Sequence, residues 1–192
     1  MLMLVAGMLL FFVPHSVGIV APHWRDRMVL HLGEARWKGW YALLISGGLA
    51  LQVLGFIGAS RTPTVLYVAP PPLRYAAWLL MLPVFPLLLA TYLPGRILAG
   101  VGHPMLGAVL LWSIAHLLVA GTLPDVVLFS GFFVWAVADR VSLQRRAPPP
   151  IRRAPPRPYN DLLAIGLGLA LYAAFIYRLH GWLFGVPLWP LL

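Results

Sequence analysis

The chain contains no cysteine, which excludes disulfides, thiolate zinc sites, iron–sulfur clusters, covalently attached c-type haem and a cysteine nucleophile. Without thiols, the redox compartment leaves no mark on the sequence. Charge is scarce as well: charged residues make up 10% of the 192, and only five are acidic, namely Asp26, Glu34, Asp125, Asp139 and Asp161. None of the five falls in the middle of a long apolar run, which argues against a carboxylate-rich metal centre and against a paired-carboxylate acid/base site. What is present is hydrocarbon. Apolar residues account for 61% and aromatics for 12%, and the mean hydropathy is +0.86, outside the usual range of soluble globules. The expected fold class is an all-α, polytopic integral membrane bundle, because helices satisfy their own backbone groups in lipid.

A helix needs about 20 mostly apolar residues to cross the bilayer core. Six segments approach that length, residues 1–21, 39–59, 75–93, 104–121, 123–138 and 162–177, within one transmembrane domain covering 1–192. Gly121 can end the fourth helix, while Thr122, Pro124 and Asp125 supply a cap, an early-turn proline and an N-terminal carboxylate for the fifth. These two helices are expected to form a tight antiparallel hairpin. Eleven of the 14 basic residues fall in the connections after the first, third and fifth spans, against three on the other side. The positive-inside rule then puts both termini outside the cytoplasm of a bacterial inner membrane. The first segment lacks a basic n-region and a small-residue cleavage site, so it reads as a retained span.

Residues 22–38 mix charge with Trp24, Met28, Leu30, Leu32 and Trp37, which suits an amphipathic helix at headgroup level. Residues 147–158 alternate proline with arginine and read as an extended, mobile cytoplasmic loop. Six arginines between residues 140 and 157 account for much of the net charge of +9 and suit anionic lipid headgroups rather than nucleic acid. Trp182, Pro187, Trp189 and Pro190 form an interfacial tail. Gly166, Ala170 and Ala174 in the sixth span, and Gly55 with Ala59 in the second, form small-residue stripes for close helix packing.

With carboxylates and thiols excluded, imidazole is the remaining strong ligand inside the spans. An intramembrane histidine must find a hydrogen-bond partner, a wet cavity or a metal. His116 lies deep in the fourth apolar run, on a stripe with Ala108, Trp112 and Ala120, and His15 lies in the first among Met8, Phe11, Phe12, Gly18 and Ile19. His103 opens the fourth run thirteen residues before His116. Two neutral imidazoles from different helices, walled by aromatic and small residues, suit a non-covalent b-type haem, whereas bare copper or zinc wants a third or fourth strong ligand. The expected pair is His15 with His116. Helix rise leaves their depths about 10 Å apart in a core of about 30 Å, to be closed by a kink at Pro14 and by tilt; His15 with His103 is the fallback. Arg25, Arg96 and Arg140 are candidate partners for haem propionates at the cytoplasmic edge.

Several stretches taken together resemble the NnrU family of integral membrane proteins: Pro14-His15-Ser16, Leu32-Gly33-Glu34 with Lys38-Gly39, Pro94-Gly95-Arg96-Ile97, His103-Pro104-Met105-Leu106, Leu111-Trp112 with Ala115-His116-Leu117-Leu118, and Trp135-Ala136-Val137-Ala138-Asp139-Arg140. The resemblance covers roughly residues 1–146. It implies a link to denitrification and to nitric oxide or nitrite metabolism. Similar proteins include plastid zeta-carotene isomerase, a haem b enzyme that turns a cis double bond trans, and its axial ligands would fall on His15 and His116. The alternatives implied are a haem-dependent isomerase of a carotenoid-like polyene and a non-enzymatic membrane assembly or regulatory factor. A shorter likeness, His103-Pro104 with Gly107, to membrane methyltransferases that bind S-adenosylmethionine lacks the motif's arginine, where Gly102 stands, and its paired glutamates.

Overall fold

The computed structural model describes residues 1–146 and 151–189. Among them the regular structure is all helix: α1 Leu2–Val20, α2 Pro22–Leu32, α3 Glu34–Ala59, α4 Pro72–Met81, α5 Val84–Ala90, α6 Arg96–Val101, α7 Pro104–Val119, α8 Leu123–Ser142 and α9 Asn160–Ala174, then a π-helical turn Phe175–Leu179 and α10 His180–Phe184. Contacts divide the chain into two compact units, Met1–Ala69 with Ala120–Arg146, and Pro70–Val119 with Ala147–Leu192.

Four helical stretches are long and apolar enough to cross a membrane: Leu2–Val20, Glu34–Ala59, Pro72–Ala90 and Asn160–Phe184. Among the described residues the sequence-based count of six is therefore not confirmed, since four stretches qualify by length and composition. The α7 helix has only 16 residues, and α8, at 20, carries Asp125, Asp139 and Arg140 within it. Large apolar side chains point outward along these helices, with Leu2 89%, Leu9 60% and Val13 61% exposed on α1 and Leu43 61% on α3. A water-soluble protein would bury such residues, and lipid accepts them.

In the first unit α1 packs on α3, and glycine sets the approach. A Cβ at Gly7 would lie 2.5 Å from the backbone nitrogen of Gln52, one at Gly48 would lie 2.7 Å from that of Phe11, and one at Gly55 would overlap the backbone of Leu4. The contacting face of α3 is thus Gly48, Gln52 and Gly55, with the Gln52 amide donating to the Gly7 carbonyl at 3.5 Å. Gly33, at φ 80°, breaks the chain between α2 and α3, so the second span starts at Glu34, five residues before its expected start. The α2 helix buries none of its residues, and Trp24 meets Trp37 edge-on at 6.1 Å, in keeping with an interfacial segment.

The start of α8 follows the sequence-based expectation closely. The Asp125 carboxylate accepts from the Thr122 backbone at 3.1 Å and from its hydroxyl at 2.5 Å, a reciprocal capping box with Pro124 in the first turn. A second tie holds the same end: Val65 pairs with Thr122 as a single antiparallel bridge, and the Tyr67 hydroxyl donates to the Ala120 carbonyl at 3.0 Å. Burial, with Asp125 adding to it, pushes the Tyr67 phenol up, so it remains a donor. Thr122→Ala is expected to cost about 1 kcal/mol, read as a lowered melting temperature in detergent, with no change expected from Thr62→Ala in the exposed loop.

In the first unit α8 packs on α1, and in the second α7 packs on α4 and α5. In the second unit Leu82 and Pro83 interrupt the third span between α4 and α5. The packed face of α9 also differs from the expected stripe: Asn160, Ala164 and Gly168 are buried, while Gly166 and Ala170 are exposed. A Cβ at Gly168 would overlap Pro86 of α5. Asp161, at the head of α9, caps α6 from a distance in sequence, its carboxylate accepting from the Arg96 and Ile97 amides at 2.7 and 3.1 Å. Gly95 is glycine because a side chain there would meet that carboxylate.

The proline–arginine loop is anchored where it is described. The Ala154 amide donates to the Tyr92 carbonyl at 2.9 Å, the Arg153 side chain to the Thr91 carbonyl at 3.2 Å, and Asn160 to the Pro155 carbonyl at 3.1 Å. Residues 151–157 form neither helix nor strand. Residues 147–150 of that loop, and Pro190 of the tail, lie outside the described residues.

Candidate functional site

His15 and His116 sit in different units, and each has its own surroundings. His15 rises from α1 continuously past Pro14. Its ring stacks on Phe11 at 4.3 Å, tilts against Tyr41 of α3 at 5.5 Å and meets Trp135 of α8 edge-on at 5.5 Å. Phe12 extends this cluster to Phe132 at 4.9 Å and to Trp135 at 6.0 Å. Among the described residues the enclosed Trp135 indole nitrogen has no hydrogen-bond acceptor, a donor whose burial costs free energy unless something accepts from it. One turn beyond His15, Gly18 lies beside the Arg146 guanidinium. Arg146 donates to the Ser142 hydroxyl at 2.8 Å and pairs with Asp139. Both side chains of that pair are largely enclosed, at 19% and 15% exposure, and Asp139 lies within electrostatic reach of the His15 ring.

In the second unit His116 projects from α7 beside Trp112, ring centres 5.2 Å apart. Its neighbour is a residue that sequence reasoning passed over. His180 stands with its ring 6.5 Å from that of His116, the two planes 23° apart. Two local features bring His180 there. The π-helical turn Phe175–Leu179 precedes it directly, and a single extra residue in a helical turn rotates all that follows relative to the packed face of α9. After α10, Gly185 takes the left-handed conformation at φ 72° and turns the tail back. Val186 then offers its carbonyl to His180 Nδ1 at 2.7 Å.

All three imidazoles share one arrangement. His15 Nδ1 lies 2.8 Å from the Phe11 carbonyl, and His116 Nδ1 lies 2.8 Å from the Trp112 carbonyl, in each case one turn back on its own helix. A carbonyl only accepts, so Nδ1 must carry the proton in each ring and Nε2 is the basic nitrogen. A hydrogen bond of this kind orients histidine ligands in metal sites. Among the described residues no group of three or more His, Asp or Glu side chains could hold an ion, so any metal bound by these imidazoles must bring further donors of its own.

The remaining predicted residues are scattered. His103 immediately precedes α7, thirteen residues and hence about 20 Å of helix from His116, and on roughly the opposite face. The two cannot serve one ligand. Arg25 is ion-paired to its neighbour Asp26 at 2.9 Å, and Arg96 and Arg140 are exposed at the ends of α6 and α8. The enclosed guanidinium is instead Arg146, which the sequence did not single out because it sits in a basic run.

An apolar groove of about 330 Å³ runs along α1, lined by Phe12, Val13, Ser16, Val17, Val20, Ala21 and Trp24. Compared with known proteins, residues 3–188 match the family model described as NnrU protein. No curated protein and no solved structure matches.

Proposed function

The chain belongs to the NnrU family, and from that premise we propose that it is an integral membrane protein that binds haem b through histidine and serves nitric oxide or nitrite metabolism. The observation that carries this reading is the shared set of the imidazoles: His15, His116 and His180 each have Nδ1 tied to a backbone carbonyl, which presents Nε2 as a ligand. The residues fit the group in other respects too. The walls are aromatic, with Phe11, Phe12 and Trp135 around His15 and Trp112 beside His116. Histidine would hold the group, and the family resemblance points to His116 and His15. Haem would supply one-electron redox chemistry. The protein's own part is to orient the imidazoles and to exclude water.

The same proposal places the chain in a bacterial inner membrane with six spans and both termini outside the cytoplasm, α7 and α8 crossing together with the four longer stretches. The eleven-to-three distribution of basic residues supports that orientation. Full-length protein purified in detergent and supplemented with haemin is expected to show a Soret band, and sharp visible bands on reduction. Protein that stays colourless overturns the reading.

A second reading, cis–trans isomerisation of a long polyene, draws support from the apolar groove along α1. It predicts trans product when reduced, haem-loaded protein is incubated with cis-polyenes, and Ser16→Trp, which fills the groove, is expected to suppress that conversion. Absence of turnover across a panel of polyenes would remove this reading.

A further inference from the structure

The sequence reads Trp182, Pro187 and Trp189 as an interfacial tail, and the structure folds that tail back on the helix before it, within one unit of the chain. Gly185, left-handed at φ 72°, makes the turn. His180 Nδ1 donates to the Val186 carbonyl at 2.7 Å and holds it. Gly181 leaves the room for the return, since a Cβ there would lie 3.2 Å from the Cα of Pro187. Beside the π-helical turn Phe175–Leu179, of a kind that recurs at functional sites, the tail bounds a cleft of about 360 Å³, within the size range of small-ligand pockets.

The lining of the cleft selects for a particular chemistry. Tyr177, Trp182 and Trp189 give it aromatic walls, and the Arg178 guanidinium stands among them. The Tyr177 and Trp189 rings meet at 5.5 Å with their planes 71° apart, a corner suited to an ammonium group, which ring faces attract. Among the described residues that line the cleft Arg178 alone is charged, and no carboxylate balances it. A bare cation would be repelled by the guanidinium, and a bare anion would leave the aromatic corner unused. The complement of both is a zwitterion, its phosphate on the guanidinium and its ammonium on the rings. Position decides the source of that zwitterion. The cleft stands at the C-terminal end of Asn160–Phe184, a stretch long and apolar enough to cross a membrane, and tryptophan and tyrosine gather at headgroup depth. Leu183, Phe184 and Val186 beside it are 51%, 63% and 54% exposed, apolar surface that suits acyl chains better than water.

We propose that this cleft is a headgroup site for a zwitterionic phospholipid, with Arg178 on the phosphate and Tyr177, Trp182 and Trp189 around the ammonium. The site uses neither His15 nor His116 and stands whether or not haem is bound.

The experiment uses full-length protein in detergent, incubated with a phosphatidylcholine that carries a diazirine on its acyl chain next to the glycerol, irradiated, and mapped by peptide mass spectrometry. Crosslinks are expected within residues 176–189. Unlabelled phosphatidylcholine is expected to compete for them at about one-fifth of the concentration required of phosphatidylglycerol, which has no ammonium. Arg178→Gln is expected to lower the yield in this segment about 10-fold, and Arg178→Lys to restore most of it. Trp189→Leu is expected to erase the preference between the two lipids, and Trp189→Phe, which keeps a ring face, to retain it. Crosslinks elsewhere on the chain are expected to be unchanged in every variant. The proposal is wrong if residues 176–189 take no competable crosslink, if phosphatidylglycerol competes as well as phosphatidylcholine for the wild type, or if Arg178→Gln and Trp189→Leu both behave as wild type. Glycerophosphocholine, the headgroup without acyl chains, is expected to compete poorly, and competition equal to that of the whole lipid would overturn the assignment to a phospholipid in favour of a soluble zwitterion.

Discussion

Gly55→Leu is expected to prevent α1 from seating on α3, with a loss of more than about 3 kcal/mol and little folded protein recovered in detergent. The reason is geometric. Even the first carbon of a side chain at this position would overlap the backbone nitrogen and Cα of Leu4, and backbone cannot step aside as the end of a flexible side chain can. Gly7 and Gly48 are equally constrained, at 2.5 and 2.7 Å from opposing backbone atoms, so no neighbouring slack can absorb the displacement. In lipid no hydrophobic drive holds two apolar helices together, and close packing must do it. Gly58, one turn further along α3, is the control: nothing lies within 4 Å of a Cβ there, so Gly58→Ala is expected to be neutral or to stabilise by up to about 1 kcal/mol through helix propensity. Thermal melts of the two variants in the same detergent make the comparison, and a Gly55→Leu protein that melts with the wild type would refute this account of the interface.

The second large effect is expected at His116. On the haem reading His116→Ala removes a ligand, so haem affinity is expected to fall by more than about 100-fold, beyond the 10–100-fold typical for losing a contact that merely orients a ligand. Haem titration followed at the Soret band measures this. His31→Ala, at an exposed position on α2, is expected to titrate like wild type. Equal affinity for His116→Ala and wild type would show that haem, if bound, is held elsewhere.

Features written into neighbouring residues were legible in the sequence. The start of α8 was one, because Thr122, Pro124 and Asp125 act within three residues of one another. The ends of α1 were another, because the apolar run stops where Pro22 begins α2. The packed faces were not legible. In a soluble protein the buried face is the apolar one, but here the lipid-facing side is just as apolar, so Gly166 and Ala170 looked as good a stripe as Ala164 and Gly168. Only the neighbouring Pro86 decides between them. His180 was missed for a different reason. Its position depends on a π-helical turn and on a tail that folds back through Gly185, and neither has a hydrophobic period to announce it. The signal that was present, a glycine and a proline shortly after a histidine in Gly185-Val186-Pro187, is the ordinary mark of a turn.

Neither unit is built from one uninterrupted stretch: the first takes residues 1–69 and 120–146, and the second is interleaved with it. During synthesis α1 and α3 emerge long before α8, the helix that supplies Phe132 and Trp135 to the aromatic cluster around His15. Some fifty residues of the other unit are translated in between. The aromatic faces of α1 and α3 therefore lack their α8 partners until Trp135 has been made. A ribosome stalled after Val119 would display α1 and α3 without their third helix, and proteases that act on incompletely assembled membrane segments would find them in that window.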